Sequence, residues 1–108
     1  MTVNRNVSAE GNSMSTPIFL EIVFQSADFT FGGRDEIEDP LEEALQDAGI
    51  GEVTGGGSGM GTANIDVDVF DLEKGVALIR AVLKDIGVAP STIINQYSPQ
   101  RVVHHIYE

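Results

Sequence analysis

Ala63-Asn64-Ile65-Asp66-Val67-Asp68-Val69-Phe70 is the stretch on which the fold turns. Its residues alternate strictly. Ala63, Ile65, Val67 and Val69 point one way, and Asn64, Asp66, Asp68 and Phe70 point the other, which is the period of a strand with one buried face. Three polar or acidic residues on the second side cannot all be covered, so the sheet holding this strand keeps one face open. The remaining elements must therefore pack on the other face.

Working outward, Asp71 is placed to cap a helix. Leu72, Val76, Ile79, Val82, Leu83 and Ile86 form its apolar stripe, Gly87 stops it and Pro90 blocks continuation. Before the deciding strand, the glycine-rich run Gly55–Gly61 reads as a hairpin loop, and Ile50 to Thr54 as a short strand ending at it. Earlier still, Asp39 and Pro40 suit the cap and first position of a helix, and Glu42 and Glu43 suit its positive end. Helical turns reaching back to Asp35 are the alternative, with Pro40 then an early kink. Ile37, Leu41, Ala44, Leu45 and Ala48 make the stripe, and Gly49 is the stop.

Ile18 to Phe24 is a strand whose Ile18, Leu20, Ile22 and Phe24 face the core, leaving Phe19, Glu21 and Val23 on the other side. Thr92 to Tyr97 is a further strand, and Arg101 to Tyr107 can add another after Ser98-Pro99. Residues 1–17 are polar and read as a flexible N-terminal tail, with Met14 an alternative start, and 18–108 as a single domain.

The order is β-α-β-β-α-β, and each half ends its helix on the same kind of stop: Asp47-Ala48-Gly49-Ile50 and Asp85-Ile86-Gly87-Val88. Two such split units predict an α+β, ferredoxin-like sandwich, with an antiparallel sheet in the order 4-1-3-2 and both helices on one face. The chain also resembles a group of small acidic bacterial proteins of unknown role that share this layout. The carrying features are Leu41-Glu42-Glu43-Ala44-Leu45, the Gly51-Glu52-Val53-Thr54-Gly55-Gly56-Gly57 segment and Asp66-Val67-Asp68-Val69. That resemblance implies a fold and attaches no activity.

Charge narrows the function classes. Lys and Arg number 6 against 17 Asp and Glu, a formal charge of −11 across 108 residues. Such a field repels phosphate backbones and anionic lipid surfaces, which argues against nucleic-acid and membrane partners. It attracts a basic protein or a cation, and it also keeps a small domain in solution. The polar start lacks the apolar core of a secretory signal, and no apolar run reaches the length of a membrane span, so a cytoplasmic setting is expected. With no Cys there is no disulfide framework and no thiolate site.

The candidate chemistry is thin. The glycines of Gly55–Gly61 fit neither the dinucleotide spacing nor a Walker lysine motif, and a strand rather than a helix follows them. Met60 in that loop is a candidate partner contact. Glu21, Asp66 and Asp68 share the open face and can form an acid cluster able to shift a pKa or hold a hard cation; a solvated acidic face explains them as well. Phe19, Val23 and Phe70 on the same face suggest a protein-contact surface or a homodimer. His104 and His105 point to opposite sides of a strand and cannot form one two-His site. From Asp35 to Glu52 there are eight carboxylates, including Glu42 and Glu43, which form either a solvated helix face or a patch that a basic partner reads.

The leading expectation is a non-catalytic protein-binding or self-associating module with no cofactor. An immunity-type or inhibitor protein facing a basic partner is one concrete form. The alternatives are a small-ligand sensor of the ACT-like kind, or a small enzyme using the open-face carboxylates.

Overall fold

The structure, a computed structural model, describes residues 16–107. Seven elements follow one another: β1 (Ile18–Gln25), α1 (Asp35–Ala48), β2 (Gly51–Gly59), β3 (Thr62–Val69), α2 (Leu72–Ile86), β4 (Ile93–Gln96) and β5 (Val102–His105). The five strands form one antiparallel sheet in the order β2-β3-β1-β4-β5. The chain is thus α+β, but its sheet has five strands rather than the four expected. Val102–His105 supplies the extra one beside β4. The expected tail of residues 1–17 and the alternative start at Met14 lie outside the described residues except for Thr16 and Pro17.

The alternation of the deciding stretch is realised residue by residue. Ala63, Ile65, Val67 and Val69 are buried, while Asn64, Asp66 and Asp68 are half-buried on the other side. Leu20, Ile22 and Phe24 of β1 and Ile94 of β4 join the buried row, and Ile37, Leu41 and Leu45 of α1 and Val76, Ile79 and Leu83 of α2 close over it. One core therefore lies between the sheet and both helices, and the second sheet face is uncovered by any described element.

Of two boundaries, one takes the alternative that the sequence left open and the other differs from the sequence reading. First, α1 starts at Asp35 rather than Asp39, so Pro40 lies inside it. Ile37, Leu41 and Leu45 stand four apart, and burying Ile37 with the others requires helix before Pro40. The Glu36 carboxylate also accepts from the Gly32 N–H at 3.0 Å, satisfying a backbone donor ahead of the helix. Pro40 gives up a single intrahelical bond on an exposed turn.

Second, the glycine run is mostly strand. β2 continues to Gly59, with a bulge between Val53 and Gly55. The bulge reverses the parity, so Val53 leans on the core while Gly55 and Gly57 fall on the open face. Only Gly59, Met60 and Gly61 make the turn, all with positive φ.

The second helix matches its signals closely. The Asp71 carboxylate accepts from the Lys74 N–H at 3.0 Å, and Gly87 ends the helix at φ 92°.

Candidate functional site

Sheet register assembles the open face row by row. Glu21 of β1 stands directly across from Asp66 of β3, and on its other side from Asn95 of β4, which pairs in turn with Val103 of β5. Phe19 stands across from Asp68, and Asp68 from Glu52 on β2. Val23 lies between Asn64 and Ile93, with His105 beyond. The face thus has two halves. Over β2 and β3 it carries Glu52, Asp66 and Asp68 among bare glycines. Over β1, β4 and β5 it carries Phe19, Val23, Ile93, Tyr97 and Val103.

The apolar half has fixed geometry. The Phe19 and Tyr97 rings stack with centroids 6.1 Å apart and 20° between planes, and the Arg101 guanidinium lies 5.1 Å over the Tyr97 ring. Tyr97 donates its hydroxyl to Glu21 Oε1 at 2.6 Å, and Asn95 Nδ2 donates to the same oxygen at 3.4 Å. Even so, Phe19 is 41%, Tyr97 42% and Val103 49% exposed. Large side chains held in place and left wet are the mark of a contact surface.

No protein-family model, curated protein or solved structure matches this chain. The site must be argued from its own residues.

The residues singled out in the sequence divide into four places. Phe19, Glu21, Val23, Asp66 and Asp68 do come together on the open face. Phe70 sits one residue past the end of β3, 48% exposed. Glu42 and Glu43 lie on α1, which covers the opposite face; Glu42 accepts from Gln46 Nε2 at 2.7 Å. Met60 is fully exposed at the hairpin tip. Among the described residues, no group of three or more His, Asp or Glu side chains is arranged to hold a metal ion. Glu21 is engaged by Tyr97 and Asn95, and Asp66 accepts from Asn64 Nδ2 at 2.9 Å. His104 and His105 stand across from Ile94 and Ile93, on opposite faces of the sheet; His104 Nε2 meets Gln96 Oε1 at 2.8 Å, and the His105 backbone carbonyl accepts from Arg80 Nε at 2.8 Å.

Ile93, Asn95, Tyr97, Arg101 and Val103 belong to the face and were not singled out from sequence. The odd-numbered alternation Ile93, Asn95, Tyr97 was the available signal.

The hydrogen bond to the Glu21 carboxylate, then burial and the charge of Glu21, raise the Tyr97 pKa above its ordinary value near 10. The folded state then holds this proton more tightly than the unfolded chain. Its contribution to stability is present below about pH 10 and is lost as pH rises through the folded midpoint. We expect the tyrosinate absorbance assigned by difference against Tyr97→Phe to titrate above 10, and Glu21→Gln to lower that midpoint. An unchanged midpoint in Glu21→Gln would show that the carboxylate does not govern it.

A separate groove of about 510 Å³ runs between α2 and β5, lined by Leu72, Glu73, Val76, Ala77, Arg80 and His104. Among the described residues no helix is long and apolar enough to cross a membrane.

Proposed function

We propose that the chain is a binding module rather than an enzyme, built as a ferredoxin-like sandwich with an added edge strand, and that it docks a basic protein on its open sheet face. One observation carries this reading: the exposed Phe19–Tyr97 stack, which shares its face with Val23 and Val103 across the Glu21–Asn95 row and stands beside Asp66, Asp68 and Glu52. Ordered aromatic rings beside a field of carboxylates supply the two parts of a protein interface, an anchor and a steering charge. The formal charge of −11 favours a basic partner over a second copy, since two copies would bring like charges together. A role as an inhibitor or immunity-type protein fits, because blocking a cationic surface needs complementarity and no chemistry. Glu42 and Glu43 on α1 add to the long-range field without lying on the docking face.

The test is capture of partners at low and high salt by wild type, Phe19→Glu and Glu43→Lys. A basic protein retained by wild type should be lost on Phe19→Glu. Its association rate should fall roughly tenfold between low and high salt, with Glu43→Lys slowing it less. Capture indifferent to salt and to Phe19→Glu would refute the reading, and light scattering showing a wild-type dimer abolished by Phe19→Glu would replace the partner by a second copy. A second reading, a small-ligand sensor, is favoured by the groove between α2 and β5, whose size falls in the usual range for ligand sites. A rise in melting temperature with a small carboxylate, absent in Arg80→Ala, would support it instead.

A further inference from the structure

The sheet has two edges, and they are unlike. β5 is four residues long, a length that offers little to pair with. β2 is nine residues long, bears one charged residue and no proline, and pairs only with β3 among the described strands. Alternate residues along it direct N–H and C=O groups away from the sheet, which is the template another strand needs. The bulge disturbs its first half, but from Gly55 to Gly59 the register is regular.

The glycines of this edge are not all there for the same reason. A Cβ on Gly56 would stand 2.5 Å from Arg34 Nη1 and from the Asn64 carbonyl, so packing excludes a side chain there. Gly55 and Gly57 face the other way, and a Cβ would make only ordinary contacts, 3.8 Å from Asp66 Oδ2 and from Asn64 Oδ1. Among the described residues no contact requires glycine at either position, and glycine weakens a strand. What their bareness does is leave the Asp66 carboxylate and the Asn64 amide accessible across the edge. An added strand would lie two strand spacings, roughly 10 Å, from β3. A long cationic side chain on it can cross that gap over Gly55, where any larger residue would stand in the way. On the helix side of the same edge lies the Arg34 guanidinium, 3.8 Å from Glu38 and 3.4 Å from the Asn64 carbonyl, so a cation there would meet a like charge.

Resting on the reading of the chain as a module for a basic protein, we propose that the partner enters as an extended basic segment that adds as a strand beside Gly55–Gly59. Its lysines or arginines alternate onto the open face, one of them over Gly55 toward Asp66, with Asp68 and Glu52 beyond the bulge adding to the field, and its apolar residues turn toward α1. Main-chain bonds supply the attachment, and the Asp66 carboxylate favours a cation at the position over Gly55.

The probe is a short peptide of alternating lysine and valine, titrated against the full chain, alongside the same peptide with its backbone nitrogens methylated. Methylation keeps the charge and removes the donors. The unmodified peptide should bind and weaken with salt, the methylated one should bind at least roughly tenfold more weakly, and hydrogen exchange at Gly55–Gly59 should slow on binding. Asp66→Asn should weaken the unmodified peptide several-fold. Equal binding of the two peptides, protection elsewhere, or no binding at all would overturn strand addition. Phe19→Glu separates the two ideas: a basic partner lost on that change but indifferent to backbone methylation keeps the module and removes the edge.

Discussion

Ile65→Ala is expected to destabilise the domain by about 2–5 kcal/mol, while Asp66→Ala, one residue away, costs less than about 0.5 kcal/mol. Ile65 is fully buried in the middle of the interior strand β3, between Ile22 on β1 and Gly56 on β2. Removing three carbons there loses their transfer energy. It also leaves a cavity that neither neighbouring strand can close, since both are hydrogen-bonded to β3. A domain of this size has roughly 5–15 kcal/mol in all, so the loss is a large share of its stability. Asp66 faces the open side across from Glu21, where removing one of two facing carboxylates relieves repulsion and offsets the lost Asn64 hydrogen bond. Chemical denaturation of the two variants reads the contrast directly. Equal losses would mean that the open face is covered in solution.

That contrast rests on what was legible in the sequence. The parity of Ala63–Val69 was readable because side chains of opposite character occupy both sides of every pair. The parity assigned to β1 followed from Leu20 and Ile22 in the same way. β2 was not readable, because Gly55, Gly56 and Gly57 have no side chains with which to show a period. Its length became visible only through pairing with β3. The start of α1 was left open between Asp39 and Asp35 for a different reason. Asp39-Pro40 is a sound local start, but burial of Ile37 against the sheet outweighs one hydrogen bond forgone at Pro40. The candidate site was half legible. Phe19, Glu21, Val23, Asp66 and Asp68 share a face by alternation alone, whereas Tyr97 reaches Phe19 and Glu21 only because β4 pairs with β1, a long-range register that no local pattern encodes.

The same register explains how a chain without a recognisable motif can still present a defined surface. The open-face residues in the middle of β1 and β3 are fixed by the buried neighbours on either side of them in their own strands. Glu21 lies between Leu20 and Ile22, and Asp66 between Ile65 and Val67, all four of them inaccessible to solvent. Core packing therefore fixes the backbone positions of these acidic residues before anything binds.

Gly75→Ala tests how tightly that core is set. Alanine in place of glycine inside a helix normally gains about 1 kcal/mol. Here the sign should reverse, with a net loss of about 1–2 kcal/mol, because overpacking a filled core costs about 1–3 kcal/mol. A Cβ on Gly75 would stand 2.7 Å, 2.8 Å and 3.1 Å from three side-chain atoms of Val69, one of them its Cβ. That atom is rooted on a strand held from both sides by β1 and β2, so it cannot swing away as the end of a flexible side chain can. Val69 is hemmed in on the other flank as well, since a Cβ on Gly51 would stand 3.2 Å from its Cγ1. In a Val69→Ala background the two methyl carbons are gone and only the Cβ contact at 2.8 Å remains, so Gly75→Ala should cost clearly less than in the wild type. The coupling between the two changes should then fall at about 1–3 kcal/mol, the range for residues in direct contact. Thermal and urea unfolding of the wild type, both single variants and the double variant complete the cycle. If Gly75→Ala stabilises the wild type, α2 does not press on Val69 as closely as these distances require, and the open-face rows of β3 are held less firmly than argued above.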